Sequence, residues 1–194
     1  MPDTIRDGKG TGNLARVNAS NRLDVASSVM PRIFYESKDN NNAFGVTTPH
    51  LTITTTGGRI MYLKNTSSTH NMILTDFRLS WNGGTTNHDL ALLGSVVFGD
   101  GAPTANNTTS AVGNLNRSSN NTFDIDVEYW DEVGDGMTET GGASGLYFIV
   151  GQGSTHFIID GAIILGANDT IAVNLQAEEI GEASINVLGF MEAK

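Results

Sequence analysis

The chain has 194 residues, no cysteine and a net charge of −10. This excludes a disulfide framework, a thiolate zinc site and a cysteine nucleophile, and argues against nucleic-acid binding, which needs a concentrated basic surface. No apolar run approaches the roughly 18–20 residues that span a bilayer, and the N-terminus lacks the apolar core of a secretory signal, so neither a membrane nor export is expected.

The charge is unevenly spread. Residues 1–64 carry eight Lys/Arg against five Asp/Glu, whereas residues 65–194 carry three against sixteen. A weakly basic leading segment therefore precedes an acidic body. Residues 1–42 read as an extended arm. Asp7-Gly8 and the glycines at 8, 10 and 12 forbid a stable helix. Two short alternating pieces, Leu14–Val17 and Arg22–Val25, are suited to add as strands to the edge of another sheet. Pro31 blocks a long helix, and residues 38–42 read as a loop. So polar a segment cannot bury enough apolar surface to order itself, and a partner surface must supply its shape. Arg6, Arg16, Arg22 and Arg32 are the candidates to meet carboxylates on that partner. Leu14, Val17, Leu23 and Val25 are the candidates to fill shallow apolar grooves.

Residues 43–194 read as a β-body. Leu51–Thr56 alternates, Gly57-Gly58 turns, and Arg59–Lys64 runs back, which predicts a hairpin. Met72–Trp81 predicts a long strand with Ile73, Thr75, Phe77, Leu79 and Trp81 on one side. Leu92–Phe98 is the next strand. Residues 100–121 are nearly free of large apolar groups, and a loop this long is usually functional. Thr122–Trp130 alternates cleanly, with Phe123, Ile125, Val127 and Tyr129 inward. After an acidic, Gly-rich loop come strands at 146–150, 156–165, 170–175 and 183–191. No segment holds the 3.6-residue period over ten residues that a confident helix needs. Eight or nine strands spaced by turns imply a sandwich, a jelly roll or a barrel.

Chemistry is hard to place on these strands. Gly8-Lys9-Gly10-Thr11 lacks the upstream glycine, the strand and the helix of a phosphate loop. Ser154, His156 and Asp160 lack a nucleophile elbow, and His156 reads as a strand-end residue. Asp124, Asp126, Glu128, Asp131, Glu132 and Asp135 form the densest acidic cluster. They read first as a solvated or salt-bridged face, and second as ligands for a structural divalent cation. His50, His70 and His88 stand singly, without metal-ligand spacing. Trp81 and Trp130 read first as core caps and second as stacking residues at a subunit contact. A sugar-binding module would have only Tyr129 and Trp130 as its stacking platform. No catalytic set, cofactor or metal is expected.

One resemblance spans most of the chain. Asp7-Gly8-Lys9-Gly10-Thr11-Gly12, Ala15-Arg16-Val17-Asn18 and Asn21-Arg22-Leu23 are similar to the N-terminal signature of a family of small tailed-bacteriophage virion structural proteins. Leu51-Thr52-Ile53-Thr54, Met61–Asn65, Asn114-Leu115-Asn116 and Gly161–Gly166 resemble the same family's spaced strands. The resemblance implies an all-β, jelly-roll-like antiparallel sandwich with an extended N-terminal arm. It implies a non-catalytic protein of the virion, often a homotrimer, on the outside of a head or at a tail appendage. The expected function is a capsid decoration or cement protein, made in the host cytoplasm, whose arm binds the major capsid protein. The alternatives are a tail or head-fibre adaptor, which copy number per particle would separate, and a carbohydrate- or receptor-binding module.

Overall fold

The computed structural model describes residues 4–6, 14–17, 23–24, 32–83, 91–138 and 140–194. The chain divides into two compact units, residues 1–31 and residues 32–194.

In the first unit, β1 (Thr4–Arg6), β2 (Leu14–Val17) and β3 (Leu23–Asp24) form a small antiparallel sheet. Arg6 lies opposite Leu14, Thr4 opposite Arg16, and Val17 opposite Leu23. The alternating pieces thus satisfy one another's main-chain groups, where the sequence suggested pairing with a foreign sheet. Arg22 and Val25 lie outside the described residues.

The second unit begins at Arg32, earlier than the composition shift at Ala43 suggests. Helix α1 (Arg32–Tyr35) runs into a π-turn, Glu36–Asn40, that Asn41 closes with a left-handed φ of 58°. Ile33 packs against a buried cluster of Ala43, Ile73 and Phe190. Arg32 pairs with Glu192 and lies 4.8 Å from the centre of the Phe190 ring. A short helix held by one apolar residue and one arginine leaves too little periodicity to be read from sequence.

The body is built from eight principal strands among the described residues. They are β4 (Ala43–Thr47), β6 (Gly58–Asn65), β7 (His70–Asn82), β8 (Leu92–Asp100), β12 (Gly141–Val150), β13 (Gly153–Leu165), β14 (Thr170–Ala177) and β15 (Gly181–Ala193). Their pairing is nested, with β4 on β15, β6 on β14, β7 on β13 and β8 on β12. First pairs with last and each inner pair follows, as in a long hairpin rolled on itself. The roll gives two antiparallel sheets, with β4-β15-β7-β13 in one and β12-β8-β14-β6 in the other. This is the jelly-roll arrangement, and the expected all-β sandwich is the observed fold. Trp81, Tyr62, Phe44, Met61, Leu74 and Leu92 are buried in the core between the sheets.

Two expectations are corrected. The predicted hairpin at 51–64 does not form. β5 (Leu51–Ile53) pairs with β15 in the first sheet, while β6 belongs to the second. Gly57, at a φ of 74°, and Gly58 carry the chain across from one sheet to the other. A Gly-Gly pair gives the same local signal for a turn and for a crossover. The second correction concerns β7, where Thr75 is an extra residue opposite the Leu188–Gly189 step. The bulge flips the alternation. Met72 and Leu74 therefore share the core with Phe77, Leu79 and Trp81, and Ile73 faces outward beneath Ile33.

The long segment between β8 and β12 covers this chain's own sheets. It carries β9 (Asn107–Thr109), β10 (Gly113–Asn114) and β11 (Ile125–Trp130). β11 pairs with β6 and β9 with β11, extending the second sheet. β10 pairs with β4, extending the first.

Candidate functional site

The jelly roll has two sides, and the chain treats them differently. On one side the sheets end in β10 and β9, of two and three residues. Short polar edge strands are a common way to prevent edge-to-edge pairing. On the other side the sheets end in β12 and β13, of ten and thirteen residues. Among the described strands each is hydrogen-bonded to a neighbour on one side only, so a row of main-chain donors and acceptors has no partner among the described residues.

The side chains on this long edge are apolar. Tyr147 is 80% exposed, Ile158 74% and Ile149 70%, and Leu146 and Ile164 are also exposed. From Gly141 to Leu165 the only Asp, Glu, Lys or Arg is Asp160. Isolated exposed apolar residues are ordinary, but a contiguous uncharged group of them marks an interaction site. Between the two strands the sandwich opens into a cleft of about 360 Å³, walled by Phe77, Leu79, Val96, Phe148, Phe157 and Ile185. The Phe148 and Phe157 rings meet in its wall, their centres 5.1 Å apart. At residues 144–146 and 158–163 the two edges carry bulges, each beside a glycine, Gly145 and Gly161.

The arm residues are placed less fully. Arg6, Leu14, Arg16, Val17 and Leu23 lie on the small sheet of the first unit, and only their strand register is described. Arg32 is engaged inside the second unit. It pairs with Glu192, and its Nε lies 3.6 Å from Glu36 Oε1. The hydrogen bond that it donates to Glu192 holds its guanidinium above the ordinary value. It therefore makes with its own body the ion pair that was expected across an interface.

The remaining candidates hold loops in place. His156 pairs with Asp76 across the β13–β7 ladder; Ser154 is exposed two residues away, and the Asp160 side chain lies outside the described residues. In the acidic cluster, Glu132 Oε1 accepts from the Thr52 amide at 2.6 Å and Asp131 Oδ1 from the Val133 amide at 3.0 Å. Among the described residues no three carboxylate or imidazole groups converge to hold a metal. Trp81 and Trp130 are both core residues, and Trp130 Nε1 donates to the Val133 carbonyl at 2.7 Å. A buried Trp130 cannot serve as a sugar platform.

Glu128, in this cluster, is pushed above the ordinary carboxyl value. Partial burial raises it first and the neighbouring Asp126 second, against a lowering hydrogen bond from Asn107. The folded chain thus holds this proton more tightly than the unfolded chain. Stability from the neutral form is complete below the unfolded value and falls as pH rises through the folded one. Glu128→Gln keeps an acceptor for Asn107 and removes the charge. It is expected to be at least as stable as the parent at neutral pH, with the difference vanishing below about pH 4. Thermal unfolding at the two pH values checks this; a variant clearly weaker at neutral pH would show that Asn107 favours the charged form.

No family model matches this chain, and no match was found among curated proteins or among solved structures.

Proposed function

We propose that this chain is a non-catalytic structural protein of a virion, a decoration protein that binds and stabilises the outer surface of a tailed-phage capsid. The observation that carries the reading is the division of the chain. Residues 1–31 form a unit apart from the jelly-roll body. That unit holds four Lys/Arg against three Asp/Glu, and the body holds seven against eighteen. A near-neutral leader with spaced arginines can approach an acidic shell that would repel the body itself. Arg6, Arg16 and Arg22 would meet carboxylates of the major capsid protein, and Leu14, Val17, Leu23 and Val25 would seat in its apolar grooves. Many copies on one shell gain from multivalency even where each contact is weak.

Deletion of residues 2–30 tests this reading. The body retains its whole core, so the truncated protein is expected to be folded and soluble, with far-ultraviolet circular dichroism typical of β structure. In a co-sedimentation assay with undecorated shells it is expected to stay in the supernatant while the full chain pellets. Equal binding by the two proteins would remove the arm from the mechanism.

A further inference from the structure

We infer that β12 and β13 form the surface through which copies of this chain associate with one another. The inference goes beyond the capsid reading and stands without it. Three observations point the same way. The fold spends a long insertion to close one side of the sandwich with short polar strands, and no described strand of the body closes the other side. That side offers two long strand edges whose outer main-chain groups have no partner among the described residues, beside exposed Tyr147, Ile149 and Ile158. An exposed apolar edge of this length self-pairs unless something blocks it, and no charge or proline does so along Gly141–Ile159.

Charge selects the partner. Residues 32–194 carry eighteen Asp/Glu against seven Lys/Arg, so two identical bodies repel across most approaches. The ribbon Gly141–Leu165, with Asp160 as its single charged residue, is where two such bodies can meet without setting carboxylate against carboxylate. A basic partner would gain nothing from a face that carries almost no charge. An anionic lipid surface would repel the acidic body behind it. A second copy meets neither objection. It brings the same free edge, whose main-chain groups complement those of the first, and apolar side chains of a size to enter the cleft beside Phe148 and Phe157.

The test uses the full chain and the double variant Tyr147→Asp with Ile158→Asp. Both positions are strongly exposed, so the substitutions should leave the fold intact. Sedimentation equilibrium of the parent is expected to give a whole multiple, greater than one, of the 20.6 kDa chain mass. The variant is expected to give one chain mass, with unchanged circular dichroism. A control with Thr108→Asp and Thr109→Asp, on the opposite, short edge, is expected to keep the parent's mass. Hydrogen exchange provides a second readout without substitution. Amides of residues 141–150 should exchange more slowly at about 100 µM than at about 1 µM, because association follows mass action. A monomeric parent, a variant that keeps the parent's mass, or a control that dissociates equally would overturn the proposal. So would protection at 141–150 that is independent of concentration and lost on deleting residues 2–30, because the chain's own leader would then cover the edge.

Discussion

Arg59→Ala is expected to lower the unfolding free energy by about 3 kcal/mol, the low end of the 3–5 kcal/mol that breaking a buried ion pair costs. Arg59 is the second residue of β6 and Asp100 the last of β8, and the Arg59 Nε donates to Asp100 Oδ2 at 2.7 Å. The two ends are not equivalent. The Asp100 side chain is fully buried, while Arg59 keeps 27% of its side chain in solvent. Asp100 Oδ1 has no hydrogen-bond partner among the described residues. Removing the arginine therefore leaves a carboxylate shut off from solvent with no counter-charge among the described residues, while removing the carboxylate leaves an arginine that can still reach water. Asp100→Asn should accordingly cost less, about 1–2 kcal/mol, as a lost charge-assisted hydrogen bond. Urea unfolding of both variants checks the order. If Asp100→Asn is the more damaging, the pair is not held by the burial of its acid.

The order of those two costs could not have been read from the sequence, although both residues are visible there. Arg59 and Asp100 are far apart in the chain, and only the nested pairing of eight strands brings the start of β6 to the end of β8. The strands themselves were legible, because period-two alternation survives wherever one face is buried and the other wet. Met72–Trp81, Leu92–Phe98 and the last three strands fall inside observed elements, and Thr122–Trp130 overlaps β11, which starts three residues later at Ile125. The reading failed where one local signal serves two topologies. Gly57-Gly58 marks a crossover between sheets in this chain and would mark a hairpin in another. The bulge at Thr75 reverses which residues face the core, and Thr75 carries no sequence sign of it, because a bulge depends on the partner strands.

The uncovered edge was missed for a different reason. Leu146–Val150 and Phe157–Ile159 are continuous apolar runs, and such runs read as strands buried on both faces. In the fold they lie at the rim of the sandwich, with Tyr147, Ile149 and Ile158 outward. The available signal was the absence of charge. The stretch from Gly141 to Ile159 has no Asp, Glu, Lys or Arg, but neither have residues 40–58, which carry β4 and β5, strands with buried faces. Composition alone cannot say whether a core or a partner tolerates it. The arm was singled out instead because charge and glycine set it apart in the sequence, and Arg32, at its end, belongs to the body through Glu192 and Phe190.

The crossover at residues 57–58 gives the second large effect. At Gly58 a Cβ would lie 2.0 Å from the Asp135 carbonyl oxygen and 2.8 Å from the Gly136 Cα. Both are main-chain atoms, so no rotamer change relieves the clash. The loop at Asp135–Met137 must move instead, and with it the hydrogen bond from the Met137 amide to the Arg59 carbonyl at 2.9 Å. Overpacking of side chains costs about 1–3 kcal/mol, and against fixed backbone Gly58→Ala is expected at or above the top of that range. Gly99 separates close approach from conformation. Unlike Gly58 it has a positive φ, 74°, but nothing lies within 4 Å of its added Cβ, so Gly99→Ala should cost only the left-handed penalty of about 1–2 kcal/mol. Chemical unfolding of the two alanine variants distinguishes them. The loop is expected to loosen in the first and stay protected from hydrogen exchange in the second. If Gly58→Ala proves the milder of the two, the Asp135 loop does not rest on the crossover, and Gly57 alone makes the passage between the sheets.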